Sequence, residues 1–493
     1  MPVRNGFDKS IYISKQTEKI RQRIDDFGGK LYLEFGGKLF DDYHASRVLP
    51  GFEPDVKLSM LKSMIDDVEM ILVINANDIE KNKVRGDLGI TYDEDLLRLM
   101  GIFVNMGFYV GGVTITHYTG QPNAQAFKRR LQELGIKCYL HYPIEGYPSN
   151  VDFIVSDDGY GRNDFIETSR PLVVVTAPGP GSGKMATCLS QLYHEYRRGR
   201  KAGYAKFETF PIWNLPLDHP VNIAYEAATV DLNDVNAIDP FHLAAYGETT
   251  VNYNRDIEIF PVLKAMMDKI VGECPYKSPT DMGVNMAGMA IVDDEATRDA
   301  AKHEIVRRWF QTAVEFKRTG AGEEEVAKLE ILMNRVGVNQ NLSPAHSAAL
   351  LKEKMSGGPA GAMELPDGRI ITGKTSTLLG AASSVLLNAL KAVAGIDDEM
   401  LIISDAALEP ITHLRTEQLG HQNPHLHPME MLIALSTTSL TSPLAARAID
   451  HANDLRGCDA YFSVIISPED EHLYKTLGIN VCCEPKYEHA FPL

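Results

Sequence analysis

The sequence has no C-x-x-C pair, and its six cysteines, Cys138, Cys188, Cys274, Cys458, Cys482 and Cys483, are scattered. That speaks against a disulfide framework and for a reducing cytoplasm. Positive charge is scarce: 49 Lys and Arg against 66 Asp and Glu leave a net charge of −17. Broad attraction to nucleic acid or to an anionic membrane is therefore not expected, whereas a local basic pocket for a small anion is compatible with the balance. The opening stretch "MPVRNGFDKSIYIS" lacks the apolar core of a signal peptide. Long uninterrupted apolar runs are also missing. The most apolar helical stretch, Ser376–Ile396, contains Asn388 and Lys391 and reads as a buried helix, not a membrane span. Complete metal motifs are missing too. "HEYRR" (194–198) and "HEIVR" (303–307) each carry arginine where the second histidine of H-E-x-x-H belongs. "HQNPHLHPME" gathers His421, His425 and His427, but Pro424 and Pro428 break any helix there, so no metal is expected. Ser182 stands in G-S-G, not G-x-S-x-G, which gives no nucleophile elbow.

What is present is an ordinary globular composition, 44% hydrophobic and 23% charged over 493 residues, long enough for two to four domains. Up to about residue 230, short runs rich in Val, Ile and aromatics read as strands: "KLYLEF" (30–35), "VEMILVINA" (68–76), "YVGGVTIT" (109–116), "KCYLHY" (137–142), "VDFIVS" (151–156) and "PLVVVTA" (171–177). Helical patterns such as "DEDLLRLMGIFVNMG" and "NAQAFKRRLQELG" lie between them. The alternation predicts an α/β domain over 1–230 with a mostly parallel sheet. Residues 201–262 show little clean periodicity, and helices dominate after about 262, so a mostly helical middle domain is expected over 231–355. "SGGPAGAMELPDG" (356–368) reads as a boundary loop. A helix (376–394), strands "EMLIIS" (399–404) and "AYFSVIIS" (460–467), helices around 428–455 and a closing helix–turn–strand then predict a second α/β domain over 356–493.

Two glycine–lysine stretches suggest phosphate binding. In "PLVVVTAPGPGSGKMATCLSQLYHEY" (171–196) a strand leads into Gly179, Gly181, Ser182, Gly183 and Lys184, and a helix follows. Backbone N–H groups, a helix N-terminus and a lysine are the elements of an anion site. The stretch departs from G-x-x-x-x-G-K-[ST]: Pro178 replaces the first glycine, and Met185 stands where a magnesium-binding hydroxyl belongs. Thr187, two residues on, falls on a different helical face. An anion seat is expected here, though not a standard magnesium–ATP site; the alternative is a purely structural glycine turn. The second stretch, Gly368 to Thr375, matches the pattern letter for letter. There Pro366-Asp367-Gly368 signals a turn and Arg369–Thr372 reads as the strand itself, so the middle residues cannot wrap a phosphate. Lys374 remains a candidate for a composite anion site, and Thr375 or Ser376 for a helix cap.

Polar residues gather elsewhere after strands. "EFGGKLFDDYHASRVLPGF" (34–52) offers Lys38, Asp41 and His44, which suits a site at the carboxyl edge of a sheet or simply a charged loop with an Asp-capped helix. Residues 77–95 add Lys83, Arg85 and Asp87. The segment after the glycine-loop helix offers Lys206, Glu208, His219, Glu226 and Asp231; His219 with Glu226 or Asp231 would make an acid–base pair, and ordinary loop packing explains them equally well.

The stretches "KLYLEFGGKLFDDYHASRVLPGF", "TAPGPGSGKMATCLSQLYHEY", "KAGYAKFETFPIWNLPLDHPVNIAYEAATVDLNDVN", "SPTDMGVN" and "LPDGRIITGKTS" resemble a bacterial family, domain of unknown function 1846, also grouped as uncharacterised protein family 0371. The resemblance spans nearly the whole chain. It implies an N-terminal α/β domain, a helical insert and a C-terminal domain with a cytidine-deaminase-like fold, but no established activity. Some relatives carry the label of an ATP-dependent peptidase, which the motifs above do not support. The zinc set of a deaminase is also missing, since Cys482 and Cys483 are adjacent.

The reading that results is a cytoplasmic enzyme taking a nucleotide or another phosphate-bearing small molecule at Gly179–Lys184. Lys38, Arg85, Lys374 and Thr375 are further binding candidates, and Asp41, His44, His219 and Glu226 catalytic ones. A non-catalytic anion-binding or assembly protein is the alternative, and an ATP-dependent peptidase a weaker one. A homodimer is the base-rate expectation.

Overall fold

The computed structural model describes residues 4–85 and 89–488, so Asp87 lies outside the described residues. Two compact units emerge: residues 5–226 with 232–298, and residues 227–231 with those from Asp299 onward. About half of the chain is helical.

The first unit is built on six strands: β1 (Leu31–Phe35), β2 (Val68–Asn75), β3 (Tyr109–Thr116), β4 (Cys138–Leu140), β5 (Leu172–Thr176) and β6 (Gly203–Phe207). They pair in the order β4-β3-β2-β5-β1-β6, and every pairing is parallel. A parallel sheet is covered on both faces, which is why β1 and β5 are buried at every position and β5 reads as a nearly continuous apolar run. After β1 the chain works outward through β2, β3 and β4. It then returns to insert β5 beside β1 and leaves in the opposite direction for β6. Right-handed crossovers place helices that run in opposite directions on opposite faces. β5 therefore marks the point where the winding reverses, and ligand crevices in open α/β sheets form at the carboxyl ends of such strands.

The helices used below are α1 (Lys9–Asp26), α2 (Tyr92–Asn105), α3 (Pro122–Glu133), α4 (Lys184–Arg197) and α5 (Asn254–Val271). Acidic residues Asp93, Glu94 and Asp95 in the first turn favour the start of α2, and Pro122 opens α3. α4 bridges β5 to β6. Its Cys188, Leu189 and Leu192 share one core with Tyr32, Ile71, Val73, Val173, Val175 and Tyr204 of the sheet and with Phe260 and Leu263 of α5.

The second unit carries β7 (Ala360–Glu364), β8 (Ile370–Lys374), β9 (Asp459–Phe462) and β10 (Asn480–Cys483) in the order β8-β7-β9-β10. β7 runs antiparallel to both neighbours, while β9 and β10 are parallel. The helix Ala381–Val393 packs onto this sheet through Val385, Leu386, Ala389 and Leu390.

Five segments depart from the sequence expectation. Residues 151–156 form a helical turn, Val151–Ile154, because the Asn150 side chain accepts from Phe153 N at 3.2 Å and starts a helix. "GYAKF", unassigned from its pattern, is β6. The glycine-rich stretch 356–368 contains β7, a central strand whose first four residues are fully buried. Conversely, "EMLIIS" is no strand: Ile402 and Ile403 reach the core from an irregular segment leading into the helix Asp405–His413. The helix expected from 376 starts at Ala381, and Ser376 instead closes a turn with Leu379.

Candidate functional site

The loop between β5 and α4 is fixed by its neighbours. Thr116 Oγ1, at the end of β3, donates to the Ser182 carbonyl at 2.6 Å, and Asn75 Nδ2, at the end of β2, donates to the Gly181 carbonyl at 3.1 Å. With those carbonyls held at the strand ends, no backbone hydrogen bond among the described residues uses the N–H of Gly181, Ser182 or Gly183. The first bond of α4 runs from Thr187 N to Gly183 O, which leaves the N–H groups of Lys184, Met185 and Ala186 as the open donors of a helix start. The glycines are required. Gly181 and Gly183 have φ of +70° and +92°, and a Cβ on Gly183 would lie 3.1 Å from the Thr116 methyl. A Cβ on Gly179 would meet the Tyr92 ring at 2.6 Å.

The loop and the first turn of α4 floor a cavity of about 450 Å³. One wall is apolar and aromatic, from Tyr142, Pro143, Ile144 and Tyr147. Polar groups come from Glu34, Thr116, His117, His141 and Asn163. Ser182 is 4% exposed, and its Oγ has no hydrogen-bond partner among the described residues. Lys184 makes no ion pair or hydrogen bond among the described residues. Burial depresses its ammonium pKa, the Glu34 carboxylate pulls it back up, and Lys206 lowers it further. His141 is pushed down to about 4 by burial. Its Nε2 lies 3.2 Å from the Asp164 carbonyl, which can only accept, so that nitrogen carries the proton and Nδ1 faces the Thr187 hydroxyl at 3.5 Å. Burial likewise lowers His117, which sits at φ +51° directly after β3.

Beside the cavity, on the α4 face of the sheet, lies a buried charge cluster. The register pairs Glu34 with Lys206 across β1 and β6. Tyr204 Oη donates to Glu34 Oε2 at 2.6 Å. Lys206 Nζ reaches Asp256 Oδ1 at 2.5 Å and Glu208 Oε1 at 3.1 Å, and Tyr253 Oη donates to Glu208 at 2.6 Å. Burial raises the Glu208 carboxyl to about 7, against the pull of Lys206 and with the help of Asp256.

Of the residues singled out from sequence, Gly181, Ser182, Gly183 and Lys184 line this cavity together. Thr187 lines it as well, although its place two residues beyond Met185 had put it on a different face; the lining takes in the whole first turn. The others sit elsewhere. Lys38 is exposed, and its carbonyl accepts from Lys57, whose ammonium pairs with Asp42 at 2.6 Å. Asp41 lies 4.0 Å from Arg98, and the His44 ring packs edge-on against Phe210. Arg85 is bound to the buried Asp95 at 2.7 Å. His219 does not pair with Glu226 or Asp231. Its Nε2 meets Asp294 at 2.9 Å, while Glu226 accepts from Asn236 N at 2.9 Å. Lys374 ends β8 in the second unit, with Thr375 N bound to the Pro359 carbonyl. Gly373 there is a packing glycine: a Cβ would fall 2.5 Å from Val385 N of the covering helix. Among the histidines of 421–427, His427 pairs with Asp470 at 2.8 Å. Among the described residues, no group of three or more His, Cys, Asp or Glu is placed to hold a metal ion, and no helix is long and apolar enough to cross a membrane.

Sequence reasoning overlooked Glu34, His117 and His141. Each stands at or just past the carboxyl end of a parallel strand, and that position was the available signal.

Residues 5–337 match the family model described as "Domain of unknown function DUF1846, N-terminal", and residues 341–491 match "Domain of unknown function DUF1846, C-terminal". The chain is 54% identical over 486 residues to the UPF0371 protein of Streptococcus pneumoniae strain P1031, a match covering 99% of this chain and 98% of that protein. It is 53% identical, with the same coverage, to the UPF0371 protein of a Streptococcus thermophilus strain.

Proposed function

We propose, for a chain that belongs to the DUF1846 family, that it binds a small phosphorylated molecule on the backbone of Gly181–Gly183 and the first turn of α4. The observation that carries this reading is the coincidence of unused N–H groups, a helix N-terminus and a lysine without an ion pair on one cavity. Each favours an anion, and together they supply direction and charge. The position at the winding reversal of the sheet supports the same reading. Met185, where a nucleotide loop places a hydroxyl for magnesium, favours a phosphate ester over a magnesium–nucleoside triphosphate. The aromatic wall of Tyr142 and Tyr147 suits the carbon skeleton of such an ester.

Calorimetric titration of wild type and Lys184→Ala with inorganic phosphate, sugar phosphates and nucleoside monophosphates tests it. Phosphate-bearing ligands are expected to bind wild type and to lose about tenfold or more in Lys184→Ala, as for a charged hydrogen bond. Failure of every phosphate compound to bind wild type would sink the proposal. Turnover of a bound ester would mark an enzyme, and binding without turnover a metabolite-binding protein.

A further inference from the structure

Glu34 stands where an anion site has least use for it. It lies at the carboxyl end of β1, shares the α4 face with Tyr32 two residues earlier, and lines the cavity with Lys184. It is 8% exposed. Tyr204 occupies Oε2, and Oε1 has no partner among the described residues. An ionised carboxylate only accepts hydrogen bonds, so a phosphate oxygen approaching Oε1 is repelled. A ligand seated on the loop must therefore present a donor to Glu34.

The charge around Glu34 narrows what that donor is. Lys184 faces it from the cavity, and Lys206 is its register partner on β6. Neither ammonium forms an ion pair with Glu34 among the described residues, yet both feel its charge, so a neutral donor completes the pocket without a further cation. Because Glu34 and Lys184 line the same cavity, the donor and the phosphate are carried by one small ligand.

We infer that the ligand is a phosphorylated polyol or sugar, with its phosphate on Gly181–Lys184 and a hydroxyl near that phosphate donating to Glu34 Oε1. This rests on the anion site proposed above. Glu34 acts here as a specificity-determining residue: among phosphate esters it disfavours those that lack the hydroxyl.

The test compares glycerol 3-phosphate with propyl phosphate, which has the same skeleton without hydroxyls, by calorimetry on the full chain. Wild type is expected to prefer glycerol 3-phosphate by about tenfold or more. Glu34→Gln is expected to shrink the preference to within about threefold while keeping inorganic phosphate binding; Lys184→Ala is expected to weaken both esters alike. Equal binding of the two esters to wild type, with inorganic phosphate still bound in a Lys184-dependent way, would overturn the hydroxyl inference alone. Absence of binding by all three compounds would overturn the anion site and this inference with it. If Glu34→Gln does not fold, the wild-type comparison decides by itself.

Discussion

Thr116 Oγ1 donates to the carbonyl of Ser182 at 2.6 Å, so the last residue of β3 holds the loop that follows β5. The contact is possible because Gly183 brings no Cβ against the threonine. Gly183→Ala forces an alanine to φ +92° and sets its Cβ 3.1 Å from the Thr116 methyl. A loss of about 1–3 kcal/mol in unfolding free energy is expected from denaturant titration. Phosphate-dependent stabilisation should fall with it, since the N–H groups of the loop lose their alignment.

His141 predicts acid sensitivity. Its pKa is held near 4, against an ordinary 6.5, by burial. Between those values the unfolded chain takes up a proton that the folded chain refuses, so stability falls as pH drops from 6.5 towards 4. Urea unfolding across this range should show a shallower acid loss in His141→Asn than in wild type. An unchanged slope would mean that the ring protonates in place.

Glu208 predicts the opposite sign. Its pKa is raised from 4.5 to about 7, with burial as the first cause, so between these values the folded chain keeps a proton that the unfolded chain has released. Stability contributed by this group is present at low pH and declines as pH rises from 4.5 to about 7. The difference in unfolding free energy between wild type and Glu208→Gln is the quantity to follow. It should drift against wild type with rising pH, whatever the histidines do in both proteins.

Gly373 separates packing from phosphate binding in the stretch that matches the nucleotide-loop pattern best. An added Cβ would press on the backbone of Val385 at 2.5 Å. Gly373→Ala is therefore expected to cost about 1–3 kcal/mol, because a helix backbone cannot yield as a side chain can. Stabilisation by glycerol 3-phosphate or inorganic phosphate should be unchanged in this variant.

Much of the parallel sheet was legible because its central strands are rich in Val, Ile and Leu. "YVGGVTIT" coincides with β3 residue for residue. β6 was not legible because "GYAKF" carries a lysine whose charge is answered by Asp256, fifty residues on, as well as by its near neighbour Glu208. The run "VDFIVS" misled for the reverse reason: six apolar-rich residues fit strand or helix, and one asparagine side chain decided the outcome. At the site, the glycines and Lys184 were readable as a motif. Glu34 was hidden inside a strand pattern, and only the register that pairs it with Lys206 and places it under α4 gives it a role. His219 and Glu226 looked like an acid–base pair in one dimension, but each bonds a different partner in three.

The late insertion of β5 between β2 and β1 has a consequence for assembly during synthesis. β1 and β2 share no hydrogen bonds with each other; each is joined to β5, which is made about a hundred residues after β2. An emerging chain that ends before Leu172 holds β1 apart from the group β2, β3 and β4, with no strand to join them. The same segment that locks them together continues directly into Gly181–Lys184. If the proposed anion site holds, its loop is thus made in the same step that joins the strands, and a phosphate ester would stabilise only chains that have passed that step.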